Sequence, residues 1–394
     1  MEGRSEAADI FRAYGPAYRK AYGEKMPLRQ FRVMQAIEIC RNKELGGHVD
    51  ACDACGSLRI SYNSCRNRHC PKCQSLDKER WLEARKRDIL PTHYYHIVFT
   101  IPEALRPIAL RNQKLVYDIL FKAVSATLKE LAEDPKHLGA RIGFIAILHT
   151  WSQTLIDHPH IHCIVTGGGL SLDGKRWIKG KKNFLLPVKV VSRLFRGKLL
   201  ASLKKAYLAK ALEFPGRIAA LKEPAIFNAL LRNLYNQEWV VYCKDPFTKP
   251  EAVIEYLGRY THRVAITNNR ILRLAEGKVT FSYRDRKDKN RIKVMVLDAF
   301  EFIRRFLLHV LPDGFMKIRH YGILSNRNRN EKLFLCKELL GASGNANECD
   351  VKKESWEELL LRITGIDLRV CPACGKGKMV RRETLPPTRG RWPP

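Results

Sequence analysis

Cysteine spacing is the feature of this sequence that most restricts how the chain can fold. Six of its twelve cysteines fall between Cys40 and Cys73, and they include two Cys-x-x-Cys pairs, Cys52 with Cys55 and Cys70 with Cys73. The N-terminus lacks the apolar core of a secretory signal, so we expect reduced thiols rather than disulfides. A Cys-x-x-Cys turn points two thiolates at one tetrahedral centre. The two pairs together therefore predict a four-thiolate zinc site.

The charge balance indicates the kind of partner that the chain binds. Its 394 residues include 71 Lys and Arg against 40 Asp and Glu, which gives a formal net charge of +31. Such an excess fits a polyanion, with nucleic acid as the first candidate and an anionic membrane surface as the second. No segment reaches the roughly 18 consecutive apolar residues that span a bilayer. We therefore expect a cytoplasmic, nucleic-acid-binding protein with no membrane partner.

Further ligand-type residues are interleaved with the cysteine pairs and raise the question of a second zinc. A Cys2His2 centre would use Cys40, His48, Cys65 and His69. The alternative is that Cys40 is a core thiol on a helix face and His69 a surface group. In both cases a closed four-ligand site has no open position for chemistry, so its role is structural. Arg66 and Arg68 beside these ligands make the module a candidate DNA-contact surface, although a solvated basic face has the same composition.

Apolar patterns in the middle of the chain alternate between strand and helix. Residues 95–101, 142–149 and 160–166 have the pattern of strands, with a glycine loop at 167–169. Residues 115–131 repeat apolar side chains at helical spacing. This alternation predicts an α+β fold for the long middle segment.

Two histidines in one predicted strand point to a second kind of metal site. Residues two apart in a strand face the same side, so His160 and His162 converge on one point. Imidazoles are good ligands for divalent metals. His149, at the end of the preceding strand, is our choice of third ligand, and Gln153 is the alternative. Histidines that are simply satisfied within a strand would show the same spacing.

A tyrosine pair follows downstream on a predicted helix. Tyr256 and Tyr260 are four residues apart and therefore share one helix face. Two core aromatics would show the same spacing. A phenol with a pKa near 10 is a weak nucleophile at neutral pH, so a phosphoryl-transfer role would require a metal that polarises the phosphate. Arg259 and Arg263 are suited to hold a phosphate or a DNA backbone.

These segments resemble a known family. HPHIHC (158–163), YLGRYTHRVAITNNRI (256–271) and SCRNRHCPKC (64–73) are similar to the two-tyrosine HUH transposases of rolling-circle insertion sequences, and most of all to the insertion sequence 91 type. Residues 311–315 and 318–322 add to the likeness, which covers roughly residues 40–326.

The resemblance implies a fold and a mechanism. It implies an N-terminal helix and zinc-binding domain (1–90), an HUH-type antiparallel-sheet nuclease domain (91–325) and a C-terminal helix with a basic tail (326–394). It also implies that His160 and His162 hold Mg2+ or Mn2+ and that Tyr256 and Tyr260 attack single-stranded transposon ends and target DNA. Each attack would leave a 5′-phosphotyrosine. Because the sequence lacks a GxxxxGK[ST] phosphate loop, helicase and replication functions would come from the host.

The C-terminal segment carries half of a zinc ribbon, Cys371 and Cys374. Cys336 and Cys349 are candidate partners, although both are also compatible with unrelated thiols. The last residues are rich in Lys, Arg and Pro, which predicts a disordered arm with nonspecific DNA affinity.

Three other functions remain open from the residues alone. One is a zinc-dependent nucleic-acid-binding protein without catalysis, in which the tyrosines stack on bases. Another is a replication initiator or relaxase with the same tyrosine chemistry. The third is a hydrolytic metallonuclease, which would form no protein–DNA adduct.

Overall fold

The chain folds into two compact units, each built from segments that are distant in sequence. The computed structural model describes residues 5–181, 186–247, 252–253, 256, 258, 265–285, 288–342 and 354–388. The first unit combines Met1–Lys78, Ile266–Leu307 and Asn345–Pro394. The second combines Glu79–Ala265 and Leu308–Gly344. The first unit therefore contains residues from the beginning, the middle and the end of the chain.

Helices and strands are distributed over both units. The helices are α1 (Ala7–Tyr22), α2 (Leu28–Glu38), α3 (Gln74–Lys86), α4 (Arg106–Arg111), α5 (Gln113–Glu133), α6 (Val188–Leu208), α7 (Pro224–Asn236), α8 (Ala299–Leu308), α9 (Arg329–Leu339) and α10 (Trp356–Thr364). The strands are β1 (Gly47–Cys52), β2 (Leu58–Tyr62), β3 (Tyr94–Thr100), β4 (Ala140–Trp151), β5 (Asp157–Ser171), β6 (Trp177–Lys179), β7 (Val241–Phe247), β8 (Ile271–Ala275), β9 (Lys278–Asp285), β10 (Arg291–Asp298), β11 (Ile318–Gly322) and β12 (Met379–Leu385). This mixture confirms the predicted α+β class.

The first unit contains two three-stranded antiparallel sheets. One has the order β12-β1-β2, so β1 lies between a strand from the C-terminal segment and its own hairpin partner. The other has the order β10-β9-β8 and contacts α8 through Phe281 and Phe302. Phe306 on α8 meets Phe11 on α1, with ring centroids 5.2 Å apart.

The second unit is organised around a six-stranded antiparallel sheet. Its order is β11-β4-β5-β3-β7, with β6 paired to β5. Strand β5 therefore lies inside the sheet, between β4 and β3. Because it is covered on both faces, β5 is an almost continuous buried run rather than an alternating one.

The two faces of this sheet carry different sets of buried side chains. On one face, Ile161 and Cys163 of β5 join a large apolar core that includes residues of α5 and α6. This placement of Ile161 and Cys163 agrees with the prediction. On the other face, Ile145, Ile147 and Ile164 join a smaller cluster that includes Tyr256. The histidines belong to this second face.

Strand β5 is longer than the sequence suggested. The predicted loop at 167–169 is part of the strand. Only glycine fits at Gly168 and Gly169, because a Cβ on Gly169 would lie 2.6 Å from the carbonyl oxygen of Arg141 and one on Gly168 would lie 2.5 Å from that of Ile178. These glycines permit close strand neighbours rather than a turn. Pro159 also lies within β5, so it does not break the strand before His160.

The predicted disordered tail is partly ordered. Residues Met379–Leu385 form β12, which pairs with β1 along its whole length. The backbone of this basic segment is therefore fixed by a ladder, while residues 389–394 lie outside the described part of the chain. Among the described residues, no helix combines the length and apolar character needed to cross a membrane.

Candidate metal centres and the transposase family

Three histidines meet on the second face of the six-stranded sheet. His160 and His162 lie two apart on β5, and His149 on β4 is the direct register partner of His160. One ring nitrogen from each lies within 4.8 Å of those of the other two. His149 and His162 are each 4% exposed, whereas His160 is half-buried. The structure thus brings together the three residues selected from the sequence.

The surroundings of the histidine cluster suit a divalent cation. His160 Nδ1 lies 2.6 Å from the carbonyl oxygen of His158, to which an N–H at this position donates. Metal-binding histidines commonly donate their second ring N–H in this way, which leaves the other nitrogen for the metal. Three protein ligands are also the number typical of a catalytic site, because they leave coordination positions for water or substrate.

A fourth histidine connects this cluster to a tyrosine. His96 on β3 is 4% exposed, and its Nε2 lies 2.8 Å from Nδ1 of His162. Tyr256 Oη lies 2.9 Å from both ring nitrogens of His96. Tyr256 is 8% exposed and also packs on Phe247. The phenol oxygen is therefore two hydrogen-bond contacts away from the candidate metal ligand His162.

Sequence reasoning missed His96. In an antiparallel pair, directly opposed residues share a face, and Val98 is opposite His162. His96 is two residues from Val98 and so lies on the same face. Strand parity places His96 on this face once the pairing of β3 with β5 is known, and the sequence does not show that pairing.

A buried carboxylate lies at the start of β5. Asp157 is 8% exposed, and burial raises its pKa to about 7, although nearby Arg106 acts in the opposite direction. Arg106 Nη2 donates instead to Nδ1 of His158, at 3.0 Å. Within the described residues, neither oxygen of Asp157 has a hydrogen-bond partner. Stability should therefore respond to the ionisation of Asp157.

The cysteines of the first unit form two four-thiolate clusters, but with partners other than those predicted. One cluster joins Cys70 and Cys73 to two single cysteines, Cys40 and Cys65. The other joins Cys52 and Cys55 to the C-terminal pair, Cys371 and Cys374. The predicted combination of Cys52 and Cys55 with Cys70 and Cys73 is thus corrected.

Chain topology explains this pairing. The knuckle of Cys52 and Cys55 follows β1, and β12 pairs with β1 so that Met379 lies opposite Cys52. This ladder brings in the C-terminal knuckle as the partner. His48 and His69 belong to neither cluster: His48 Nε2 lies 3.5 Å from Asp50 Oδ2, and His69 is buried. Cys336 lies in the apolar cluster of the second unit, and Cys349 lies outside the described residues.

Sulfur–sulfur distances agree with a shared zinc in both clusters. Four sulfurs at about 2.3 Å from one tetrahedral zinc lie roughly 3.8 Å apart. Sγ of Cys40 and Cys73 are 3.5 Å apart, and the pairs Cys52–Cys374 and Cys55–Cys371 are each 3.7 Å apart. Side-chain and backbone hydrogen bonding with Ser57 lowers the pKa of Cys55 to about 6, which favours the thiolate that binds zinc, whereas the pKa of Cys52 in the same cluster is raised to about 11.

Comparison with known proteins decides what these centres belong to. The chain is 52% identical over 379 residues to a Sinorhizobium fredii protein named "Putative transposase y4qJ", covering 96% of this chain and 95% of the relative. The chain belongs to the IS91 family of two-tyrosine transposases. A transposase for insertion sequence element IS801 from Pseudomonas savastanoi pv. phaseolicola is 26% identical over 275 residues, 70% of this chain and 64% of that relative.

Two family models match different parts of this IS91-family transposase. Residues 10–101 match a "Transposase zinc-binding domain", and residues 143–332 match a family described as "Putative transposase". The histidine cluster and Tyr256 fall within the second match. The zinc-binding match contains six of the eight cluster cysteines and ends far before Cys371 and Cys374, so the structure supplies the last two members.

The remaining predicted site residues of this transposase are located as follows. Arg66 is exposed and Arg68 is half-buried, both in the segment between Cys65 and Cys70. Tyr260, Arg259 and Arg263 lie outside the described residues.

Proposed function

We propose that this transposase nicks single-stranded DNA at transposon ends and transfers strands through a 5′-phosphotyrosine, as an HUH endonuclease in rolling-circle transposition. The observation that carries the proposal is the position of Tyr256. Its phenol oxygen is 2.9 Å from His96, which is 2.8 Å from a member of a three-histidine cluster. A nucleophile beside a divalent-metal site is the combination that this chemistry requires.

The cleavage step is a transesterification. The phenol oxygen of Tyr256 forms a bond to the scissile phosphorus, and the bond from phosphorus to the 3′ oxygen breaks. The phenol loses one proton and the departing 3′ oxygen gains one, so a free 3′-hydroxyl remains. The ester bond is conserved in the phosphotyrosine. No nucleotide cofactor is therefore needed, and a 3′-hydroxyl can later reverse the reaction on another strand.

The residues that would hold the catalytic cation are His149, His160 and His162. When bound there, Mg2+ or Mn2+ would neutralise charge on the scissile phosphate. Three imidazoles, two of them on a strand inside the sheet, fit a cation that must also bind substrate. Tyr256 itself is held by packing in the apolar cluster, which restricts where its oxygen can lie.

We assign the remaining parts by family likeness and charge. Tyr260 is the second nucleophile, so that one tyrosine retains the donor end while the other cleaves the target. Arg259, Arg263, Arg66 and Arg68 contact the DNA backbone, consistent with the net charge of +31. Zn2+ in the two cysteine clusters is structural, and strand separation and synthesis are supplied by a host helicase and replication machinery.

The test uses labelled single-stranded oligonucleotides that together span both ends of the element encoding this chain. With Mg2+ or Mn2+, we expect a 3′ label to migrate with denatured protein. A 5′ label should remain on a released fragment whose 3′-hydroxyl a polymerase can extend. The double variant Tyr256→Phe, Tyr260→Phe should form no adduct.

A matched control is Tyr235→Phe, which removes a tyrosine hydroxyl that is exposed on α7 of the same unit. This variant should form the adduct at the wild-type rate. An adduct that survives in the double variant would contradict the proposal. Cleavage without any adduct would indicate metal-dependent hydrolysis, and binding without cleavage would indicate a noncatalytic protein.

A further inference from the structure

His96 is a buried polar residue that the proposed reaction does not by itself assign to any role. It lies on β3, between the histidine cluster and Tyr256, and is 4% exposed. Its ring stacks on His162, with an interplanar angle of 8° and centroids 5.1 Å apart, and is tilted by 54° against Tyr256. It thus contacts both partners at once.

We propose that His96 is a positioning residue that links the metal-binding histidines to the tyrosine nucleophile, by accepting from His162 and donating to Tyr256. This inference rests on the proposed function, because it assigns His162 to the cation and Tyr256 to the phosphate. It concerns how this chain orients those two groups.

Donor and acceptor roles follow from one another along this contact. A neutral imidazole has one N–H donor and one acceptor nitrogen. His162 Nδ1 contacts Nε2 of His96 at 2.8 Å, which reserves the Nε2 of His162 for a cation. His162 must then carry its proton on Nδ1 and donate it to His96. His96 Nε2 is the acceptor, and its proton is on Nδ1.

The same logic fixes the role of His96 toward the phenol. Tyr256 Oη lies 2.9 Å from both ring nitrogens of His96, but Nε2 carries no proton when it accepts from His162, so the N–H that donates to the phenol oxygen is the one at Nδ1. A donor there orients the phenol and stabilises the negative charge that its oxygen acquires as the proton leaves, before the bond to phosphorus is complete. It also directs the phenol's own hydrogen away from His96. His96 therefore acts as a fixed donor and not as the base.

Two substitutions separate the two contacts. The amide of glutamine reaches the position of a histidine Nε2, and the shorter amide of asparagine reaches that of Nδ1. His96→Gln should keep an acceptor for His162 but lose the N–H donor to Tyr256, because an amide oxygen at the Nε2 position can only accept, although that position is also 2.9 Å from the phenol oxygen. His96→Asn should do the opposite. His137→Gln is a matched control, because His137 lies in the loop after α5 and away from the sheet pairing of β3 with β5.

The first readout is Mn2+ affinity without DNA, measured by electron paramagnetic resonance. Loss of a residue that orients a metal ligand typically weakens affinity about 10–100-fold. We expect a loss in this range for His96→Asn and a change within about threefold for His96→Gln. The second readout is the single-turnover adduct rate at saturating Mn2+. It should fall at least about tenfold in His96→Gln and stay within about threefold of wild type in His96→Asn.

The third readout does not depend on any variant. In Mg2+-saturated protein, 15N chemical shifts distinguish the Nδ1–H from the Nε2–H form of His96, and its signal is assigned by its absence in His96→Gln. We expect the Nδ1–H form. The Nε2–H form would overturn the proposal, as would wild-type affinities and rates in both variants or equal losses in both.

Failure of the proposed function has a different signature. If wild-type protein forms no adduct, that function is contradicted, while the Mn2+ affinities and the 15N shifts still decide whether His96 links the two groups. If a variant does not fold by circular dichroism, the shifts of the wild-type protein remain decisive.

Discussion

The cysteine clusters and the histidine cluster are assembled in opposite ways. The histidines come from two neighbouring strands, whose backbone ladder sets His149 opposite His160 without any metal. The cysteines come mostly from turns and loops that are not neighbours in one ladder, and one cluster joins residues more than 300 positions apart. In the first unit we expect the metal to stabilise the fold, whereas in the second the fold forms the site. The predictions below test this contrast in order of decreasing effect.

The largest effect is expected at the local cysteine cluster, the one formed by Cys40, Cys65, Cys70 and Cys73. Cys70→Ser removes a ligand that is 1% exposed and 3.6 Å from Cys40. Structural zinc contributes about 10–16 kcal/mol in small domains, which is comparable to or larger than the typical stability of a domain, about 5–15 kcal/mol. The variant should lose one zinc, and the first unit should become protease-sensitive. Elemental analysis and limited proteolysis measure both changes. The buried Cys163→Ser, outside either cluster, is the control and should keep both zincs.

A substitution in the long-range cluster, the one formed by Cys52, Cys55, Cys371 and Cys374, should have a smaller and more local effect. Cys371→Ser should release one zinc and loosen residues 366–388. The effect on the rest of the unit should be smaller, because Cys55 and Cys374 are more exposed than the buried cysteines of the other cluster. Hydrogen exchange should rise at least about tenfold in β12 and little in α1. Retention of both zincs in Cys371→Ser would contradict the assignment of the C-terminal pair to this centre.

The histidine cluster should show the reverse behaviour. His149→Ala should weaken Mn2+ binding more than about 100-fold, since even an orienting residue is worth 10–100-fold. The zinc content should remain at two per chain, and the melting temperature without Mn2+ should change by only a few degrees. A protein that unfolds on loss of His149, or on chelation of Mn2+ alone, would remove the contrast.

The smallest effect concerns the ionisation of Asp157, at the start of β5. Its folded pKa of about 7 lies above the unfolded value near 4, so the folded state binds the extra proton and stability falls as pH rises between these values. Asp157→Asn should therefore raise the melting temperature more at pH 8 than at pH 5. One pKa unit is worth about 1.4 kcal/mol, so the gain is of the order of a few kcal/mol at most. An equal gain at both pH values would show that burial of the charge is not the cause.

How much could be predicted from sequence differed between the two regions for a physical reason. The convergence of His160 and His162 follows from the two-residue period of a strand, and His149 follows from its hairpin neighbour. Both inferences use contacts between residues that are close in sequence, and the structure brings these three together. Their role as metal ligands stays a prediction.

The cysteine partners and His96 required long-range pairing. Each Cys-x-x-Cys turn was identifiable, but nothing in its local sequence says which other turn it meets. The answer depends on β12 pairing with β1, and the tail that carries β12 has the composition of a disordered arm. His96 likewise depends on β3 pairing with β5. Glycines 167–169 were misassigned because glycine marks both loops and close strand contacts.

The order in which a ribosome releases this chain gives the long-range cluster a further meaning. Cys52 and Cys55 emerge first, and their partners, Cys371 and Cys374, emerge only after more than 300 further residues have been made. During synthesis the early pair can hold a metal only incompletely. A chain that stops between Tyr256 and Cys371 would contain the histidine cluster and Tyr256 but could not complete this centre. The zinc content would therefore distinguish chains that contain Cys371 and Cys374 from shorter ones.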